Sequence, residues 1–183
     1  VLVAGILAAL SVDVTHAQAA RPVGVALAGG MTFPLGDYAE DSKSGLHGLA
    51  YLQYEPAGNV WGVRGEAMYT RANFTDGFLA SVNAPDDADL TNSIFYVGGA
   101  ALLTGARRQS TVTPYGIAGL GLYRLSVSSQ VTGSTISTSD SENGFGFSAG
   151  AGVRLGVNSG LFAEVRYHQF SVTPQGSEKA TYS

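Results

Sequence analysis

Six charged side chains, Arg64, Glu66, Arg124, Arg154, Glu164 and Arg166, interrupt runs that are otherwise apolar or small, and His47 and His168 stand in similar settings. A strand sends successive side chains to opposite faces, so each of these groups shares a face with small residues and opposes an oily face. Charges on the enclosed face of a narrow barrel lack bulk water, so they must pair and hydrogen-bond to be tolerated. Arginine forks meeting glutamate carboxylates make bidentate bonds that plug such an interior. The other chemistry open to the same set is a gate or a narrow ion path.

Catalysis is not expected. His168 and Ser171 are three apart in a strand, which turns them to opposite faces, and His47 has no matching nucleophile. Gly119-x-Gly121 has no helix after it, so it is not a nucleotide loop. Asp37, Glu40 and Asp41, and also Asp86, Asp87 and Asp89, are clustered carboxylates of the kind that binds Ca²⁺ or Mg²⁺ near lipopolysaccharide, but they lack the spacing of an EF-hand and read as solvated acidic loops. Neither a metal nor a cofactor is implied. Arg107 and Arg108 fall in a short turn, facing phosphates or simply solvating it.

The elements that position these residues are long alternating strands. Phe145, Phe147, Ala149, Ala151, Val153, Leu155 and Val157 alternate with Gly144, Gly146, Ser148, Gly150, Gly152, Arg154 and Gly156. About 9–11 alternating residues are what a tilted strand needs to cross a bilayer. Runs of this kind cover Val23–Phe33, Leu46–Glu55, Val60–Phe74, Asn92–Thr104, Thr113–Val127, Asn143–Val157 and Leu161–Val172. Long polar connections (Pro34–Gly45, Thr75–Thr91, Ser128–Glu142, Thr173 onward) alternate with short ones at Pro56–Asn59, Gly105–Val112 and Asn158–Gly160. Short turns at one end and long loops at the other belong to an antiparallel up-and-down transmembrane β-barrel. Such barrels have even strand numbers, so eight strands are expected from an all-β chain that shows seven, with the last one beyond Ser183.

The face expected toward lipid carries Trp61, Val63, Tyr115, Ile117, Tyr123, Phe145, Phe147, Val153, Leu155, Val165 and Tyr167. The opposite face carries the six charges, with His47, Gln53, Glu55 and His168. Asn92–Thr104 is apolar on both faces, and its register is left open. A soluble lipocalin-like ligand carrier shares the period but turns its apolar face inward. Three features favour the membrane arrangement. The polar face is mostly Gly, Ala and Ser; small residues suit a narrow eight-stranded interior; and Tyr54, Trp61 and Tyr115 gather near the short turns like an interfacial girdle.

Composition agrees. A chain of 183 residues with formal charge −4 has little basic surface for nucleic acid, and without cysteine it has no disulfide framework. Val1 to Val14 is largely apolar, and Ala17-Gln18-Ala19 offers the small residues that a signal peptidase needs. Residues 1–19 are therefore read as a partial signal peptide and 20–183 as one barrel domain lacking its last strand, exported to the bacterial outer membrane.

Pro34-Leu35-Gly36-Asp37, the run Pro114 to Tyr123 and the run Phe162-Ala163-Glu164-Val165-Arg166-Tyr167-His168 resemble the small outer-membrane β-barrel family. Its relatives include the transmembrane domain of OmpA and the OmpX–Ail type. The resemblance covers most of residues 20–172, and it implies an ion-paired interior and a final strand ending in an aromatic residue read by the barrel-assembly machinery. The expected role is envelope integrity or surface recognition through the long loops, with a narrow channel for ions or small solutes as the alternative. General porin activity is not expected, because eight strands leave no wide aqueous channel. The expected partners are outer-membrane lipid, lipopolysaccharide and surface ligands, with the protein a monomer.

Overall fold

Alternating sequences become strands only where neighbours pair with them, and in this chain each does so with the next. The computed structural model describes residues 2–9, 22–35, 38–81, 88–105, 111–131, 137–155 and 161–172. Eight strands follow in order: β1 (Leu2–Ala9), β2 (Val23–Leu35), β3 (Gly45–Tyr54), β4 (Trp61–Asn73), β5 (Ala88–Thr104), β6 (Val112–Val131), β7 (Ser137–Leu155) and β8 (Leu161–Val172). Each is antiparallel to its neighbours and the sheet closes on itself as an eight-stranded barrel. Two helical segments, α1 (Tyr38–Asp41) and α2 (Asp76–Ser81), lie in the first two long loops.

The seven expected strands are all present, and the place of an eighth between β2 and β8 is taken here by a strand from near the start of the chain. It is Leu2–Ala9, from the segment read as a leader, which pairs with β2 from Leu2↔Leu35 and with β8 from Leu2↔Gln169 to Ala9↔Phe162. A short run of uncharged apolar residues serves equally as a leader core or as a strand. A barrel seam left unpaired in hydrocarbon would expose backbone amides and carbonyls with nothing to bond. Residues 10–19 of the expected leader lie outside the described residues.

Around the outside runs an apolar band: Val25, Leu27, Leu52, Trp61, Val63, Leu103, Leu120, Leu122, Phe145, Phe147 and Val165 are all exposed. Leu155 is exposed, while Val153 and Tyr167 are half-buried on the same outer face. Inside, Leu49, Met68, Ile94, Tyr96, Tyr123 and Phe170 pack as one cluster and Ala100, Leu102, Tyr115 and Ile117 as another. The open register of β5 is thereby decided: Asn92, Ile94, Tyr96, Ala100, Leu102 and Thr104 turn inward. A soluble carrier, with polar groups outside, does not have this arrangement.

In β6 the expected faces are reversed. Tyr115, Ile117 and Tyr123 are 4%, 4% and 1% exposed, inside the barrel, whereas Arg124 is outside and bonds Ser141 Oγ at 3.1 Å. Leu120 and Leu122 take the lipid side instead. The tyrosines turn inward because their hydroxyls find partners there, which hydrocarbon cannot offer. Gly119 and Gly121, which share their parity, leave room for a ring. A Cβ on Gly121 would lie 2.6 Å from the Val97 carbonyl oxygen and would run into the Tyr96 ring.

Strand lengths are uneven. β5, β6 and β7 have 17, 20 and 19 residues against 12 in β8 and 13 in β4, and the surplus lies at the loop end. The segment Ser128–Glu142, expected to be a long loop, is mostly strand, with pairs running out to Gln130↔Ser137. Serine and threonine made it look like loop. Yet threonine and valine suit strands, and a growing hairpin ladder satisfies backbone groups at little cost.

Gly121→Val should therefore be poorly tolerated and Gly116→Val well tolerated, since a Cβ at Gly116 meets nothing within 4 Å. Refolding in detergent, followed by the heat-dependent gel mobility of barrels, measures this. A loss of about 1–3 kcal/mol or more is expected at Gly121, and little change at Gly116.

Candidate functional site

Buried charge in this barrel is organised as a chain of alternating sign. At the turn end, Glu55 accepts from Arg154 Nη1 at 2.9 Å and from Arg154 Nη2, giving a two-pronged pair, and Gln53 Nε2 donates to Glu55 at 2.9 Å. Gln53 Oε1 accepts from Arg64 Nε at 3.0 Å. Arg64 Nη1 donates to Glu164 Oε2 at 2.9 Å, and the Tyr115 hydroxyl donates to that same oxygen at 2.7 Å. Arg166 Nη2 reaches Glu164 Oε1 at 2.6 Å, while Arg166 Nη1 bonds Glu66. The Tyr96 hydroxyl completes the chain on Glu66 at 3.0 Å. Among the described residues the chain has three arginines and three glutamates, so its formal charge is zero.

Strand geometry explains how these groups meet. Arg64 and Glu66 share one face of β4, and Glu164 and Arg166 share one face of β8, each pair two apart. Tilt in a closed barrel brings β4 and β8 face to face across the lumen, so carboxylate and guanidinium meet with about 100 residues between them in sequence. Side chains of Arg64, Glu66, Glu164 and Arg166 are all within 2% of complete burial. The Arg64 guanidinium also lies 4.0 Å from the Tyr51 ring centroid, and Arg154 lies 5.0 Å from that of Tyr115. Cation–π contact of this kind helps replace the lost hydration.

Toward the loop end the lumen turns aromatic. Tyr123 stacks on Phe170 with centroids 4.5 Å apart and shares a 2.8 Å hydrogen bond with His168 Nδ1. His47 Nδ1 and Thr32 Oγ1 are bonded at 2.8 Å. Above these, the roots of the first two loops are tied together. Lys43 N donates to Asn73 O at 2.8 Å, Thr75 N to Asp41 O at 2.9 Å, and the exposed Lys43–Asp76 ion pair spans 2.8 Å. Ser42 accepts from Asn92 Nδ2 at 2.8 Å.

Of the residues expected in the interior polar set, the structure gathers Arg64, Glu66, Glu164 and Arg166 at the centre, Arg154 at the turn end and His168 toward the loops. Arg124 is outside. Glu55, anticipated as inward, proves to be Arg154's partner. Tyr51, Tyr96, Tyr115 and Tyr123 were missed as members, and their signal was available: each shares strand parity with inward glycines or charges. His168 is buried and Ser171 exposed, on opposite faces. Glu40, Asp41 and Asp76 are exposed, whereas Asp37, Asp86, Asp87, Arg107 and Arg108 lie outside the described residues.

A family model described as an outer membrane protein β-barrel domain matches residues 4–182. No curated protein and no solved structure matches the chain.

Removing one member of a buried ion pair strands its partner, at about 3–5 kcal/mol. Glu164→Gln, which takes from Arg64 its carboxylate partner and leaves Arg166 with Glu66 alone, should lose stability on that scale in urea titration of the refolded barrel. Arg154→Ala, at a pair whose side chains are 27% and 14% exposed, should lose clearly less. Arg124→Ala should stay within about 0.5 kcal/mol of the parent.

Proposed function

The chain belongs to the outer membrane protein β-barrel family, and from that premise we propose that it is a closed-lumen barrel serving envelope integrity and surface recognition, not transport or catalysis. One observation carries the reading: the lumen is crossed from β3 to β8 by a continuous ion-paired chain whose central members are almost wholly buried. An ion following that route would have to break several short charge-assisted bonds in a region of low dielectric.

The recognition part rests on the outer ends of β5, β6 and β7. About 9–11 residues suffice to cross a bilayer, and these strands continue past that length as a paired polar sheet. Arg124, Ser126, Ser128 and Ser141 are among the side chains it carries. A rigid polar projection beside the clasped first and second loops suits contact with lipopolysaccharide or with surface ligands. Export through a leader ending at Ala19, insertion by the barrel-assembly machinery and a monomeric state belong to the same proposal. If the leader leaves, another strand must take the place of Leu2–Ala9 between β2 and β8.

Planar-bilayer recording on the refolded chain tests the closed lumen. Silence, or only rare irregular openings, is expected. Steady single-channel steps would instead establish the narrow-channel reading.

A further inference from the structure

The outer wall changes character abruptly where β4, β5 and β6 approach the long loops. Outward positions run apolar or small up to Tyr69 on β4, Phe95 on β5 and Leu122 on β6, all exposed. The next outward position on each strand is Arg71, Ser93 and Arg124. Strand register fixes how these groups sit. Tyr69, Phe95 and Arg124 form one row across the sheet, and Arg71, Ser93 and Ser126 form the next row toward the loops. The two arginines are thus two strands and two residues apart, about 12 Å between Cα atoms from standard strand spacing and rise. Side chains of that length can reach two groups of one molecule lying between them.

These cations lack what the lumen arginines have. Arg64, Arg154 and Arg166 each meet a carboxylate. Arg124 spends one N–H on Ser141 Oγ at 3.1 Å, and the Arg71 side chain has no hydrogen bond or ion pair among the described residues. No carboxylate stands on the outer face of β4 to β7 among the described side chains. A guanidinium at the edge of hydrocarbon calls for an anion, and its planar fork matches phosphate. Nearer the turns the wall is low. Gly65 and Gly99 share a row with Leu52 and Leu120, which are 56% and 57% exposed on either side. A Cβ at Gly65 would meet nothing within 4 Å, and one at Gly99 only a carbonyl oxygen at 3.9 Å, so internal packing demands glycine at neither. The result is a shallow trough between two leucine ridges, suited to a hydrocarbon chain.

We propose that Arg71 and Arg124 bind the phosphates of an outer-leaflet glycolipid, whose acyl chains lie along the Gly65–Gly99 trough. Charge complementarity and the apolar wall directly beneath the cations select a lipid. Two separated cations, with the Ser93 and Ser126 hydroxyls beside them, select a sugar bearing two phosphates over a single-phosphate phospholipid. The site rests on the recognition reading above and deepens it, placing lipid contact on the wall of the barrel instead of on the tips of its projecting strands.

Native mass spectrometry of the full refolded chain, released from detergent micelles, counts retained lipid directly. The parent should retain lipid A, and hold lipid A stripped of its phosphates several-fold less. Arg71→Gln and Arg124→Gln should each weaken retention several-fold, and together roughly tenfold or more. Lys43→Gln, which removes a cation at the same end of the barrel but off the wall, should leave retention unchanged. Heat-dependent gel mobility checks that each variant is folded. Undiminished retention in the double arginine variant would overturn the site while leaving lipid contact itself intact. An equal loss in Lys43→Gln would overturn it too, since it would mean attraction to charge at large. Equal retention of phosphatidylglycerol would overturn the choice of a two-phosphate sugar. No retention of lipid A by the parent would overturn both the site and the lipid contact it rests on.

Discussion

Glu164 sits where neither water nor lipid can solvate it, held between Arg64 and Arg166 with the Tyr115 hydroxyl on the same carboxylate. A carboxylate so placed is tolerable only while those donors stay in position. The requirement propagates through the whole barrel. Arg64 and Arg166 must face β8 and β4 across the lumen, as the strand tilt of a closed barrel allows. The tyrosines must turn inward to supply hydroxyls, and glycines must sit opposite to admit their rings. The outward face between the two ends can then be largely apolar.

Lipid and lumen thus act on the two faces of each strand in opposite senses. On the outside, side chains such as Val63, Leu122 and Phe145 need no partner beyond acyl chains. Inside, a vacancy or an unmet charge is costly, and the sequence answers with alternating sign from Glu55 and Arg154 to Glu66. The two halves of the lumen differ accordingly. Charge dominates toward the turns, whereas stacked aromatics and bonded histidines dominate toward the loops. Above that aromatic layer, β5 to β7 continue as a paired polar sheet.

Much of this was legible in the residues alone. Period-two alternation located seven strands, and the faces of β3, β4, β7 and β8 followed because charged and oily residues there are cleanly segregated. The failures have physical causes. β6 carries tyrosines on one face and leucines on the other, and hydrophobicity by itself ranks both as lipid-facing. Only the need of a hydroxyl for a partner separates them. β5 is apolar on both faces, so its register depends on the Tyr96 ring finding the gap at Gly98 and Gly121. Leu2–Ala9, read as part of a leader, pairs as a strand in the structure, and an uncharged apolar run of eight residues suits either role. Partnerships across the lumen, such as Arg154 with Glu55, depend on barrel closure, which no local pattern encodes.

Trp61 is the chain's single tryptophan, exposed on the outer face at 46% and next to the inward-facing Gly62 and the outward Val63. Its fluorescence reports directly on which face meets lipid. In vesicles of phospholipid brominated on its acyl chains near the headgroup, strong quenching is predicted, with little quenching by aqueous iodide. Emission untouched by the brominated chains, whether quenched by iodide or shielded from both, would contradict a barrel that wears its oil outside and keeps its charges within.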